Sequence, residues 1–237
     1  MRKPKLTVIV PVYNERKTVW EILKRVIALP VSKEIIVVDN CSTDGTRELL
    51  KAFEEQWQPD EYTHRLEIIF QPQNLLKGTS VKTGIRRAHG EYVIVQDADL
   101  EYNPDDILQL LEHAQNHNAP VVFGSRLLRR VDKCEGIFAF GRRFLSWLFR
   151  ALYRAEVTDV ATCYKLMRTD VAQALPLQSK GFELDFEIPA RLRLRGIPII
   201  EVPISYKPRS VREGKKLRLW DGVKAIYVLL KCRLSKE

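Results

Sequence analysis

Short, nearly uninterrupted apolar runs alternate along this chain with longer stretches in which apolar residues recur every three or four positions. Leu6-Thr7-Val8-Ile9-Val10-Pro11 has the length and β-branched content of a buried strand. Beyond it Val19, Ile22, Leu23 and Val26 keep helical spacing, and Asn14 is placed to cap that helix. Glu34-Ile35-Ile36-Val37-Val38-Asp39 predicts a second strand that ends on an acid. A turn at 42–46 feeds a helix to about Gln58, with Gly45 supplying a positive φ or a close backbone approach. A short strand at 66–71, a helix at 77–88 stopped by Gly90, and a strand at 92–96 follow. Asn103-Pro104 then reads as a cap and a first-turn proline, with Asp105 and Asp106 where the helix dipole favours acids. Residues 120–123 form a further strand.

Repeated strand–helix units with continuous apolar strands predict an α/β fold whose mostly parallel sheet is covered by helices on both faces. Ligands of such sheets bind at the carboxyl ends of the strands, where Asp39 and the Asp97/Asp99 pair fall. The second half is less regular. A helix at 138–153 interleaves aromatics with arginines, and a helix at 184–195 is expected to break near Pro189. A strand at 197–206, interrupted by Pro198 and Pro203, suits a sheet edge, and a helix at 220–234 closes the chain. The reading divides one domain into two halves, 1–125 holding the ligand-binding strand ends and 126–237 the less regular remainder.

Charge sharpens that division. Residues 126–154 hold eight Lys and Arg against two acids, and residues 205–237 hold ten against three. The two stretches carry more than the whole net charge of +9, so the body is slightly acidic and the basic half calls for an anionic partner. Apolar runs are far shorter than a membrane span, and the basic start lacks a signal-peptide core, so the expected location is cytoplasmic. The aromatic–basic helix and the basic end predict peripheral attachment to an anionic surface at the cytoplasmic membrane face, with packing into the domain or onto a membrane-bound partner as the competing role. Cys41, Cys134, Cys163 and Cys232 show neither metal-ligand spacing nor a disulfide framework. Nucleic acid is not an expected partner, because no recognised binding module is present and the aromatics sit in amphipathic helices.

The candidate chemistry gathers at the strand ends. In an extended chain Asp97 and Asp99 face the same way, and their repulsion is relieved by a divalent cation bridging to a diphosphate; Mg²⁺ or Mn²⁺ suits such hard oxygen ligands. The plainer alternative is a solvated acidic turn. Asp39 can accept nucleobase N–H donors or cap its own turn, and Glu15 can meet a nucleoside hydroxyl or serve as a first-turn acid. Backbone N–H groups at 11–15 can meet an anion. Arg126, Arg209, Arg212, Lys215 and Lys216 are either phosphate contacts or a solvated basic face.

Pro11-Val12-Tyr13-Asn14-Glu15, Val37-Val38-Asp39-Asn40-Cys41-Ser42-Thr43-Asp44-Gly45-Thr46 and Gln96-Asp97-Ala98-Asp99-Leu100-Glu101-Tyr102 occur in order. Phe123-Gly124-Ser125-Arg126, Asp159 with Thr162-Cys163-Tyr164-Lys165, Gly181-Phe182-Glu183-Leu184-Asp185 and the run from Val202 to Gly222 continue the series. The set resembles the inverting glycosyltransferases of family 2, and among them the dolichyl- and polyprenyl-phosphate sugar transferases. The resemblance implies a GT-A fold and a nucleotide pocket of Pro11, Tyr13, Glu15, Asp39 and Asp97. It implies a metal on Asp99 with Asp97 and Glu101 assisting, and Asp185 and Glu183 beside the reacting sugar. Arg126, Arg209, Lys215 and Lys216 would face donor diphosphate or acceptor phosphate, with Arg212 in the same basic run. The chain departs from the family pattern at Asn40, where a second aspartate is usual, at Leu76, where a glycine is usual, and at Phe186.

These expectations amount to a metal-dependent hexosyltransferase that moves sugar from a GDP- or UDP-linked donor to a polyprenyl or dolichyl phosphate. An ionised phosphate oxygen would need no strong base, only alignment and charge screening. A sugar-hydroxyl acceptor in glycan or cell-envelope synthesis is the alternative, and it would need Asp185 as base.

Overall fold

The computed structural model describes residues 3–128, 137–209 and 219–235 of the 237-residue chain. Seven strands form one sheet: β1 (Leu6–Val12), β2 (Lys33–Asp39), β3 (Thr63–Phe70), β4 (Tyr92–Val95), β5 (Val121–Ser125), β6 (Lys165–Arg168) and β7 (Ile200–Pro203). The order is β3-β2-β1-β4-β6-β5-β7, with β7 at the edge its prolines predict. Helices α1 (Val19–Ile27), α2 (Thr46–Gln56), α3 (Lys77–Arg87) and α4 (Asp106–Asn116) link the first five strands. Helices α5 (Ile137–Tyr153), α6 (Thr169–Ala174), α7 (Leu184–Leu194) and α8 (Leu219–Leu234) belong to the second half.

Strands β3, β2, β1 and β4 are parallel, and β1 and β2 are almost wholly buried, as their apolar runs require. Register brings Val12, Asp39 and Phe70 level at one edge. The Gln96 N–H donates to the Ile9 carbonyl, so Asp97 leaves β4 at that same edge. Strand β6 was not expected. It runs antiparallel between β4 and β5, pairing Val93 with Met167 and Phe123 with Lys165. An antiparallel strand begins where its parallel neighbours end, so Lys165 and the preceding Cys163 are delivered to the ligand edge. Because β6 belongs to the second half yet sits inside the sheet, residues 1–125 and 126–237 share one β-layer.

Four local expectations are corrected. Asn14 does not cap α1, which begins at Val19 after Thr18; it takes φ +51° and its Oδ1 accepts the Thr43 N–H at 2.8 Å, tying two loops together. The N–H groups of Asn14, Glu15 and Arg16 do not await an anion, since they donate to Ser42 Oγ, Thr46 Oγ1 and Asp44 Oδ2. Helix α7 is not broken at Pro189. Losing one N–H costs less than disrupting a helix buried from Phe186 to Leu192. Asn103 is not the cap of α4, which begins at Asp106 after Asp105, so Pro104 stands before the helix; Asp106 is the expected first-turn acid, buried and accepting the Ser205 N–H at 2.8 Å.

Leu76 takes φ +69° despite carrying a Cβ. Side-chain amides enforce this: Asn40 Oδ1 accepts the Leu75 N–H at 2.7 Å, and Asn74 Oδ1 accepts both Asn40 Nδ2, at 2.8 Å, and the Leu76 N–H, at 3.0 Å. An aspartate at position 40 could not donate to Asn74, so the departures at 40 and 76 form one hydrogen-bonded unit.

Candidate active site

A cavity of about 1410 Å³ opens at the carboxyl ends of β1 and β4. Pro11, Tyr13, Glu15, Asp97, Asp99, Glu101, Arg126, Asp185 and Arg209 all line it. Asp39 is not among the lining residues; its neighbour Asn40 is. Asp39 is fully buried, accepts the Ser42 N–H at 3.3 Å to each oxygen, and ion-pairs with Arg47 Nε at 3.0 Å. Arg212, Lys215 and Lys216 lie outside the described residues.

The acids Asp97, Asp99 and Glu101 follow β4 in a turn where Leu100 takes φ +62° and Asp99 Oδ1 accepts the Glu101 N–H at 3.1 Å. Lys77 Nζ stands 2.8 Å from Asp97 Oδ1 and 3.6 Å from Asp185 Oδ2. Burial opposes the charge on Asp97, but Lys77 more than offsets it and holds that carboxyl below its ordinary range. The same exchange raises the Lys77 ammonium above its usual value despite burial, through Asp185 and then Asp97. Among the described residues no cation pairs with the Asp99 carboxylate; Arg209, which reaches its backbone carbonyl, lowers its value only in part. Burial, with Asp97 and Glu101 adding repulsion, pushes its carboxyl up to about 7.

That imbalance tests the fit of a metal. Asp99 is a carboxylate kept partly protonated by burial and neighbouring acids, so a divalent cation would relieve a cost already present in the fold. Among the described residues no three His, Cys, Asp or Glu side chains form a complete cage. Mg²⁺ and Mn²⁺ fit such a site, since one or two carboxylates suffice when substrate phosphates complete the shell. Asp99 and Asp97 are the side chains that could hold it.

Two of the expected phosphate contacts are otherwise engaged. Arg126 makes a bidentate pair with Asp159, 2.6 Å from Nε and 2.8 Å from Nη2, and stacks at 4.9 Å on Tyr206 and 5.7 Å on Tyr102. Burial opposes its charge, but Asp159 raises the guanidinium well above its usual value. Arg209 arrives because the chain beyond β7 pairs Tyr206 with Tyr102 and donates the Lys207 N–H to the Glu101 carbonyl. Its Nη2 lies 2.9 Å from Glu15 Oε2, its Nε donates to the Asp99 carbonyl at 2.6 Å, and its N–H donates to Glu101 Oε1 at 2.7 Å. It therefore stands among Glu15, Asp99 and Glu101.

Sequence reasoning gave no role to Lys77 or Lys165. Lys165 Nζ is 3.7 Å from Asp185 Oδ1 and donates to the Thr162 carbonyl, so Asp185 lies between two ammonium groups. Burial lowers the Lys165 ammonium, with Asp185 opposing. Both residues carried a signal. Lys77 opens a helix, where the dipole disfavours a cation, and Lys165 lies between Cys163-Tyr164 and Leu166-Met167, all of them buried. Close packing completes the group: a Cβ at Gly78 would stand 2.8 Å from Lys180 and Gly181 backbone atoms, so the start of α3 abuts the loop leading into α7, whose first turn holds Asp185.

A parallel sheet extended by β6 and β7, with an acidic turn after β4 opening into a cavity, defines an α/β glycosyltransferase of the GT-A fold. The glycosyl transferase family 2 model matches residues 7–175, and the chain belongs to that family. A dolichol-phosphate mannosyltransferase from Pyrococcus furiosus is 26% identical over 237 residues, covering 96% of this chain and 64% of that protein's length. An undecaprenyl-phosphate mannosyltransferase from Micrococcus luteus is 27% identical over 218 residues, covering 87% of this chain and 85% of the relative. Among solved structures, glucosyl-3-phosphoglycerate synthase from Mycobacterium tuberculosis, in complex with Mn²⁺, uridine diphosphate and phosphoglyceric acid, superposes with a TM-score of 0.74. It is 17% identical and covers 99% of this chain and 80% of that one, a likeness of fold.

Proposed function

We propose that this glycosyltransferase moves a hexose from a nucleoside-diphosphate sugar to a phosphate-bearing acceptor, using Mg²⁺ or Mn²⁺ on Asp99. The observation that carries the reading is the charge arrangement of one cavity, where the Asp99 carboxyl after β4 pairs with no cation among the described residues and Asp185 faces the same space. The metal, when bound, supplies positive charge to the departing diphosphate. Asp97 is held in place by Lys77, Arg209 fixes Glu15 and the 99–101 turn, and Pro11 and Tyr13 wall the donor side.

For the attacking atom we adopt a hydroxyl on that acceptor. The Asp185 side chain makes no hydrogen bond among the described residues, and it lines the cavity between Lys77 and Lys165, where an acceptor hydroxyl can come within its reach. The phosphoglyceric acid named with the solved M. tuberculosis structure supports a small phosphorylated acceptor of this type. A lipid phosphate oxygen is the second reading. It is supported by the two lipid-phosphate relatives and by the apolar wall that Phe140, Phe144, Trp220 and Val223 give the cavity.

The deciding assay offers GDP- and UDP-hexoses with Mg²⁺ or Mn²⁺ to two acceptor sets, phosphorylated hydroxy acids and short polyprenyl phosphates. Sugar transfer with release of nucleoside diphosphate supports the reading, and release of pyrophosphate overturns it in favour of nucleotidyl transfer. Asp185→Asn should reduce transfer to a hydroxyl at least a hundredfold. Retained activity in that variant moves the attacking atom to phosphate.

A further inference from the structure

Among the described residues, eleven large apolar side chains are exposed, and eight of them lie on α5 and α8. On α5 they are Phe140, Phe144 and Trp147, spaced on one helical stripe, with Trp147 56% exposed. On α8 Trp220, Val223, Tyr227, Leu230 and Leu234 continue a second stripe along the whole helix. The opposite faces, Leu145, Phe149 and Tyr153 on α5 and Ala225, Leu229 and Cys232 on α8, are buried in the core. The helices lie together, the Tyr153 hydroxyl donating to the Leu229 carbonyl at 2.7 Å, and the first turns of both wall the cavity.

We propose that the exposed α5–α8 face docks on an anionic lipid bilayer, placing the cavity mouth at headgroup level. Charge selects that occupant. Exposed Arg143 and Arg150 flank the α5 stripe, and exposed Lys224, Lys231 and Arg233 flank that of α8, whereas α5 contains no acid and α8 only Asp221. A second copy of the same face would set cation against cation, while anionic headgroups meet those charges as the aromatics and leucines enter the interface. No helix among the described residues is long and apolar enough to cross a membrane, so the contact is lateral. Arg142 and Phe149 belong to the same aromatic–arginine run but are buried, so α5 contributes a narrower stripe than its composition suggests. Docking on the bilayer depends on neither acceptor reading; it rests on the transferase reading only in that the second acceptor, a lipid phosphate, would enter the mouth from the membrane.

The test is co-sedimentation of the full chain, without donor or acceptor, with phosphatidylglycerol–phosphatidylcholine vesicles and with phosphatidylcholine alone. Binding should need the anionic lipid and fall at least tenfold between 50 mM and 500 mM salt. Changing Arg143, Arg150 and Lys231 together to Gln should reduce it at least tenfold, and so should Trp147→Ser with Leu230→Ser, melting curves showing that each variant stays folded. Tryptophan fluorescence should shift to the blue on anionic vesicles, a shift absent when Trp147 and Trp220 are both changed to Phe. No binding at low salt overturns the proposal, as does binding indifferent to lipid charge. A concentration-dependent dimer that the Trp147→Ser/Leu230→Ser variant abolishes overturns it in favour of a second copy. Because donor is absent, failure here leaves transfer to soluble acceptors unaffected.

Discussion

Arg209 and Glu15 stand 194 positions apart in the chain and meet at 2.9 Å, Nη2 to Oε2. Burial opposes the Arg209 charge, and the Glu15 carboxylate more than compensates, raising the guanidinium above its usual value. The pair ties the segment beyond β7 to the end of β1 and, through the Asp99 carbonyl, to the acidic turn. Arg209→Ala should therefore weaken binding of nucleoside diphosphate with Mn²⁺ by about tenfold, in line with about 1.5–3 kcal/mol for hydrogen bonds to charged groups. Calorimetry checks this. Unchanged donor affinity with a raised acceptor KM would return Arg209 to the acceptor side.

Asp99 gives the site a pH dependence of definite sign. Its folded value of about 7 exceeds the ordinary 3.8, so the group's contribution to stability is complete below 3.8 and lost as pH rises through 7. Metal-free protein should lose melting temperature between pH 5 and pH 8 on this account, and Asp99→Asn should flatten the change. Mn²⁺ affinity should fall about tenfold per pH unit below 7, because the ion must displace a proton. Asp99→Asn should abolish that dependence and nearly all transfer. Full activity of the wild type in EDTA would contradict the metal assignment.

Lys77 is the cation whose loss should matter most to the acidic cluster. Lys77→Met leaves Asp97 and Asp185 without a cation they now share. Removing one partner of a buried pair costs about 3–5 kcal/mol; with 17% of the Lys77 side chain exposed, the expected loss is lower, about 2–3 kcal/mol. Transfer should fall at least tenfold, with Lys77→Arg recovering part of both losses. Urea denaturation and steady-state kinetics measure them. An unchanged denaturation midpoint in Lys77→Met would refute the pairing.

Arg126→Met should act on stability before it acts on catalysis. Asp159 is fully buried and accepts both side-chain N–H bonds and the Arg126 backbone N–H. Stripping its guanidinium partner should cost about 3–5 kcal/mol. Thermal unfolding reads the loss directly. A normal melting temperature with a raised donor KM would instead place Arg126 on phosphate.

The strands β1, β2 and β4, the acids after them and the edge position of β7 were legible in the chain itself. Each depends on local pattern: apolar runs too continuous to face water, helical spacing between them, and acids where those runs stop. The positions of Asp97 and Asp99 at the ligand edge followed from the same reasoning, because parallel strands all end on one side.

Only tertiary structure decided which cation meets which acid. Arg126 and Arg209 looked alike as arginines in basic stretches, yet one is locked on buried Asp159 and the other on Glu15. Lys77 and Lys165 were passed over, and both bracket Asp185, because close packing at Gly78 and the antiparallel insertion of β6 carry them there. Asn14 looked like a cap and became a tie between loops, and Pro189 looked like a break and sits inside a helix. Local pattern specifies which segments must be buried and in what form. Long-range packing fixes the distance between charges and the water excluded around them, and those two quantities give each carboxylate and cation its role.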